Sequence, residues 1–396
     1  MKPVLHGVRV LDLTHVLAGP FAGYQLAVMG AEVIKIESPE EPDQARYQGS
    51  DAALNDAGMG TAFLSQASNK KALALNLKTE AGRQVLRQLV KTADVLIENY
   101  RPGAFDALGL GYADLSAINP RLVYCSISAF GSSGPKRELT AYDGVVQAYS
   151  GMMAMTGEPG TAPVKCGAPV VDYATGTTAA MAILAALLQR SHDGNGQFVE
   201  VAMSDVAMIL ASSHLTGYLW NRAHPEQKGN RYPFATIGCY PASDGPLMVS
   251  ASNLRQQRRL WEALGRTDLV KHNNRDRIKG YAEEAQALTE ILATASLDHW
   301  EALLREHRVP VSRVQRLEAM LADEHVRSRQ VLHRFADEAG ALAGLTVPVA
   351  GFQLSRSPVQ VTSPPQAVGA QNQELLMALG YPPADIEAMR AQGAIA

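Results

Sequence analysis

A large doubly wound α/β domain joined to a smaller α+β domain is the fold this sequence predicts. Short apolar strands alternate with helices over about the first 200 residues, the pattern of a parallel sheet with crossover helices on its faces. At 396 residues the chain exceeds what one hydrophobic core usually supports, and its 46% hydrophobic content can fill two. Composition then changes at Asn221–Pro233, a polar stretch with several turn formers.

Val8–Leu13 reads as a strand, and Pro20–Met29 as a helix stopped by Gly30, where a left-handed residue ends helices. Glu32–Glu37 is the next strand, completing a βαβ unit whose crossover is right-handed. The loop between carries Gly19 and Gly23 without the full GxGxxG spacing. Glu37 stands where a dinucleotide fold places its ribose-binding acid, but with the glycine spacing broken, nicotinamide dinucleotide is not the expected ligand. Strand Lys71–Leu77, helix Thr79–Thr92 and strands Asp94–Glu98 and Leu122–Ser128 continue the alternation. The turn His192–Gly196 leads into strand Gln197–Ala202 and a helix over about Ser204–Trp220.

Pro169 and Asp172 mark the start of another helix, whose residues through Leu188 are too apolar to be anything but buried. An acid therefore stands at the mouth of a core helix. There the free N–H groups and the positive end of the macrodipole favour its ionised form. The ordinary role of such an acid is to cap the helix.

Residues 1–220 are assigned to the large domain and 221–234 to a linker. Residues 235–325 form the small domain, with a hairpin around Ser243–Gly245 and amphipathic helices bearing Trp261 and Trp300. Residues 326–396 return to the large domain and end in a helix opened by Pro382 and Pro383. Ligands of doubly wound sheets sit beyond the carboxyl ends of the strands. That rule picks out Val16, Asn69–Lys71, Asn99–Gly103 and Phe130–Tyr142 as the surroundings of a site.

Lys plus Arg is 36 against 39 for Asp plus Glu, a net charge of -3 without blocks of either sign, so a phosphate-neutralising nucleic-acid binder is not indicated. The three cysteines, Cys125, Cys166 and Cys239, lack CxxC spacing and are read as thiols in a reducing compartment, with no metal site. The amino terminus lacks a signal-peptide pattern, and the longest unbroken apolar run, Ala179–Leu188, is ten residues. A cytoplasmic protein that does not span a membrane is expected.

Many segments in order carry a resemblance: Gly7–Leu13, Gly30–Glu37, Asn69–Lys71, Ala93–Gly103, Leu108–Leu110, Asn119–Val123, Gly131–Pro135, Tyr142-Asp143, Asp172 before Gly176, Ala378–Gly380 and the ending Gly393–Ile395. Across nearly the whole chain the sequence resembles the class III CoA-transferases, which include formyl-CoA, carnitine and bile-acid CoA-transferases. The resemblance implies a Rossmann-like large domain, two linkers to a small domain, and an interlocked homodimer. It places the family's nucleophilic aspartate on Asp172, with coenzyme A and acyl-CoA as substrates and no tightly bound cofactor. The reaction it implies moves CoA from an acyl-CoA to a carboxylic acid through an aspartyl anhydride and an aspartyl-CoA thioester.

Matching positions place Val16, Lys70, Lys71, Asn99 and Arg101 near the adenine and phosphates of CoA, and Lys136 and Tyr142 nearer the pantetheine or thioester. Ser38 stands where some relatives carry a base-stacking arginine, and Arg46 is the nearby candidate to replace it. The related 2-methylacyl-CoA racemases need a histidine where this chain has Tyr142, and a phenol with a pKa near 10 exchanges protons poorly. Racemase chemistry is thus the second reading, and a non-catalytic CoA-binding subunit the third. No glycine-run loop occurs near residues 229–240, where formyl-CoA transferases cover their aspartyl intermediate. A dicarboxylic acid such as succinate, or a branched acid of about four to six carbons, is therefore expected over oxalate as acceptor. Arg231 is a candidate partner for its distal carboxylate.

Overall fold

The computed structural model describes residues 2–336 and 342–396, so residues 337–341 of the returning segment lie outside the described residues. The chain forms two compact units: residues 1–152, 165–223 and 329–396 make the first, and 153–164 with 224–328 the second. Residues 153–164 join the second unit through the Gln227 side chain and Gly229 N–H, which donate to the Thr156 and Gly157 carbonyls at 2.9 and 2.8 Å.

In the first unit, strands β1 (Arg9–Leu13), β2 (Glu32–Glu37), β3 (Lys70–Ala74), β4 (Val95–Glu98), β5 (Val123–Ser128) and β6 (Phe198–Ala202) form one sheet in the order β3-β2-β1-β4-β5-β6. Every neighbouring pair is parallel. The order reverses between β1 and β4, so a crevice opens beyond their carboxyl ends. Because side chains alternate along a strand, Leu11, Ile34, Leu96 and Tyr124 feed one core while Val10, Val33, Val95 and Val123 feed the other.

Four helices matter to the site: α1 (Ala18–Val28), α2 (Glu80–Val90), α3 (Asp143–Tyr149) and α4 (Val170–Asp193). The Thr79 side chain caps α2 by accepting the Gly82 N–H at 3.1 Å, and Val85, Leu86 and Leu89 turn its apolar side to the first core. The second core lies under α1 and α4. At 24 residues α4 is long and apolar enough to cross a membrane. Its inner side is nevertheless buried at Val171, Thr175, Ala179, Ile183 and Ala186, the spacing of a core helix. Gly176 sets the contact with α1, since a Cβ there would lie 2.5 Å from the Ala18 carbonyl oxygen.

The helix expected over Ser204–Trp220 is two, Met203–Leu210 and Ser212–Asn221. The Ser212 hydroxyl donates to the Ile209 carbonyl at the break, a local bond that competes with helix continuity. The carboxy-terminal segment covers the free edge of β3. Gln371 Oε1 and Asn372 Oδ1 accept the Ala72 and Ala74 N–H groups at 2.7 and 2.8 Å. Leu375, Leu376, Ile386 and Ile395 then enter the first core.

The second unit carries the expected hairpin, β7 (Ile237–Ala242) against β8 (Gly245–Ser250), joined by β9 (Val311–Arg313). Helices Leu254–Ala263, Tyr281–Leu292 and Leu297–Glu306 bring Trp261, Leu288 and Trp300 into one core with Leu247 and Val249.

Candidate active site

The loop after β1 makes an uncommon turn. Val16 has φ 71°, a left-handed conformation that is strained for a β-branched residue. Its N–H donates to Asp43 Oδ1 at 2.9 Å, and its carbonyl accepts the Gln66 amide at 2.7 Å. Asp43 is itself paired with Lys35 at 3.3 Å, and the Lys35 ammonium also donates to the Thr14 carbonyl. Burial alone would raise Asp43, but Lys35 and the N–H groups of Val16 and Ala45 hold it below the usual carboxylate range. The loop after β4 is tied in by Asn99, whose side chain accepts the His15 N–H at 2.8 Å and donates to the His15 carbonyl at 2.9 Å. Buried charge thus fixes a strained backbone at the point where the strand order reverses.

Beyond these loops lies a cavity of about 460 Å³. Val16, Asn99, Arg101, Tyr142 and Asp172 all line it, so five of the residues picked from the sequence come together. His15 lines it too, edge-on to the Tyr100 ring at 4.9 Å. Burial, with the Lys35 charge, holds its imidazole below the usual range and favours the neutral form. A second cavity of about 240 Å³, lined by Ser38, Asn76 and Lys78, shares His15, Glu41 and Tyr100 with the first.

The electrostatics of Asp172 differ from the expectation. Pro169 holds the N-cap position without a side-chain hydrogen bond, and Asp172 is the third residue of α4 rather than its cap. The first-turn donors are taken instead by Asp143: its Oδ2 accepts the N–H groups of Val171 at 2.8 Å and Asp172 at 3.2 Å. Burial, and then the Asp143 charge, push the Asp172 carboxyl up to about 7. Burial and Asp143 thus disfavour the ionised form, against the expectation from the helix start alone. Sequence named Asp143 only as part of a resembling segment and gave it no role, because its partners lie 28 and 29 residues away.

Lys70, Lys71 and Lys136 do not line the cavity. Lys70 and Lys71 open β3 and so lie at the amino end of the strand, away from the crevice. Lys70 is buried, with its ammonium on Asp12 (2.8 Å) and the Pro20 carbonyl (2.7 Å), and Lys71 pairs with Glu32 and Glu374 at 3.2 and 2.8 Å. Lys136 lies 5.1 Å from the centre of the Tyr149 ring. Arg46 cannot stack on a base, because its buried guanidinium grips Glu37 at 2.6 and 2.7 Å and packs 3.8 Å over Phe63. In the second unit Arg231 lies 3.8 Å from Glu158.

The comparisons with known proteins agree with this geometry. The sequence profile of CoA-transferase family III matches residues 5–372. The chain is 35% identical over 388 residues to a succinate–glutarate CoA-transferase of Agrobacterium fabrum, covering 96% of each. It is 33% identical over 411 residues to the succinyl-CoA:glutarate CoA-transferase of Mus musculus, covering 100% of this chain and 91% of that protein. Among solved structures, a CAIB/BAIF family protein from Brucella suis superposes with a TM-score of 0.83 at 29% identity, over 96% of this chain and 100% of that one. A profile match of this extent, borne by a parallel sheet with an acid at its switch point, makes the chain a transferase belonging to CoA-transferase family III.

Proposed function

We propose that this enzyme moves CoA from succinyl-CoA, or a similar acyl-CoA, to a carboxylic or dicarboxylic acid, with Asp172 as nucleophile. One observation carries the reading: Asp172 is half-buried on a long core helix at the wall of the switch-point cavity. The other carboxylate lining that cavity, Glu41, is exposed on a loop. The succinate and glutarate named for two relatives support a dicarboxylate acceptor.

In this reading an Asp172 carboxylate oxygen attacks the thioester carbonyl carbon, the C–S bond breaks, and CoA leaves as thiolate. The thiolate then attacks the Asp172 carbonyl of the mixed anhydride, releasing the donor acid and leaving an aspartyl-CoA thioester. The acceptor carboxylate repeats the sequence in reverse, regenerating Asp172. Dividing the exchange this way replaces one difficult step by smaller ones. Half-burial of Asp172 at the cavity wall limits the water that would hydrolyse the anhydride. Val16 and Asn99 shape the CoA channel, and Arg101 at its rim suits phosphate through its planar fork. The adjoining cavity beside Ser38 gives an extended CoA room to continue.

A homodimer belongs to this proposal. Met181, Leu188, Ile209, Leu219 and Trp220 are exposed, Trp220 at 89%, apolar side chains that a partner chain would cover. A folded chain that sediments as a monomer at micromolar concentration argues against it. The three cysteines are free thiols, which supports the cytoplasmic setting.

The test of the reaction is chemical trapping. Incubation with succinyl-CoA followed by hydroxylamine should convert Asp172 to a hydroxamate detectable by peptide mass spectrometry. Asp172→Asn should lose the adduct, and its transfer to glutarate should fall on the order of 1,000-fold or more. Near-normal turnover in that variant sinks the assignment. Solvent deuterium appearing at the α-carbon of a 2-methylacyl-CoA without an acceptor acid would mark proton transfer instead.

A further inference from the structure

The carboxylate that holds the start of α4 comes from a different helix. Four N–H groups at a helix start lack intrahelical partners, and a capping side chain usually meets some of them. Here Pro169 offers none, and Asp143, the first residue of α3, reaches across to Val171 and Asp172. Its other oxygen accepts the Gln147 amide one turn further along α3. Gln147 Oε1 in turn accepts the Cys166 N–H at 2.9 Å, so the segment leading into α4 is tied to the same relay. Asp143, Gln147 and Val171 are 7%, 1% and 0% exposed. A sealed chain of hydrogen bonds thus ends on the backbone of the residue that faces the cavity.

Two effects on Asp172 follow. Its backbone is pinned between α3 and α4, which fixes where its carboxylate enters the cavity. The donors that would otherwise solvate that carboxylate are occupied by an acid whose own charge repels it. The titratable and charged groups around Asp172 are Asp143 and Tyr142 at the start of α3 and Tyr173 on α4. Across the cavity stand His15, Glu41, Tyr100 and Arg101. Of these only Asp143, acting after burial, shifts the Asp172 carboxyl.

We propose that Asp143 is the positioning residue of the transfer reaction: it locks the first turn of α4 against α3 and keeps the helix's donors away from Asp172, leaving that carboxylate poorly solvated and strongly nucleophilic. This deepens, and rests on, the assignment of Asp172 as nucleophile.

The experiment titrates resting enzyme labelled with carboxyl-13C aspartate, the Asp172 resonance being assigned by its loss in Asp172→Asn. The parent should titrate at about 7. Asp143→Asn keeps an acceptor for the two N–H groups but removes the charge, and should lower that midpoint by about one unit or more. The acid limb of kcat for succinyl-CoA with glutarate should move down with it, and the plateau should fall by roughly threefold to tenfold. KM for succinyl-CoA should change less than about twofold, because the Asp143 side chain does not line the cavity. Asp143→Glu, which restores the charge, should return the midpoint towards the parent. An Asp172 midpoint below about 5 in the parent overturns the proposal whatever the variants do. An unshifted midpoint in folded Asp143→Asn does the same. Because the titration is read without substrate, its failure leaves the nucleophile assignment standing, whereas a missing hydroxamate beside a normal titration removes that assignment alone.

Discussion

Among the described residues of the first unit, two carboxyls keep their protons more tightly in the folded chain than in the open one. Asp172 is pushed up to about 7 by burial and Asp143, and Glu98 to about 7 chiefly by burial. Glu98 ends β4 and accepts the Tyr100 N–H at 2.8 Å, so it anchors the loop that carries Asn99 and Arg101. For a carboxyl raised in this way the folded state binds more protons than the unfolded state between about 4.3 and 7. Its contribution to stability is greatest below that window and is lost as pH rises through it. Glu98→Gln, which keeps the acceptor but cannot ionise, should therefore gain up to about 3 kcal/mol at pH 8 and almost nothing at pH 4. Urea unfolding at the two pH values measures this, and an equal gain at both would contradict it. Asp172→Asn should behave in the same direction, the mark of a site that gives up stability for chemistry.

The pair α1 and α4 is the element on which the site depends. Gly176 lets them touch: an added Cβ would fall 2.5 Å from the Ala18 carbonyl, 3.0 Å from the Phe21 ring and 3.2 Å from the Ala22 nitrogen. The Ala18 and Ala22 backbone of α1 leaves it nowhere to go. Gly176→Ala should force the helices apart and cost about 1–3 kcal/mol. Since α1 begins two residues after Val16 and α4 carries Asp172, the same separation should misplace the CoA loop relative to the nucleophile. Turnover should fall on the order of tenfold or more. Thermal unfolding and steady-state rates test the two halves of this expectation separately, and an unchanged melting temperature would show that the contact can relax.

At the scale of the molecule, the carboxy terminus completes the sheet it was far from in sequence. Gln371 and Asn372 occupy the open side of β3, and the Asn76 N–H donates to the Ala394 carbonyl at 2.9 Å. An exposed edge strand is a template for pairing with other chains. Truncation after Ala370 should uncover that edge together with the core positions of Leu375, Leu376, Ile386 and Ile395, and the chain should aggregate. Light scattering during size-exclusion chromatography reads the outcome, and a soluble, folded truncation would refute it.

The parallel sheet and its helices were legible because apolar periodicity is local: Val8–Leu13, Asp94–Glu98 and the run after Pro169 each declare a strand or helix in a few residues. So was the neighbourhood of Val16, Asn99, Arg101 and Tyr142, since strand ends and topology fix which loops share a crevice, whereas Asp172 was placed beside them by the family resemblance. Side-chain pairing was not. Whether Lys70 meets a phosphate or Asp12, and whether Arg46 meets a base or Glu37, depends on partners 58 and 9 residues away and on burial that charge alone does not announce. The state of Asp172 was decided the same way. Sequence placed an acid at a helix mouth, which by itself favours ionisation; the tertiary structure buried that acid, brought Asp143 onto the same N–H groups and reversed the sign, because a pKa answers to burial and to every charge and donor within reach rather than to those nearby in the chain.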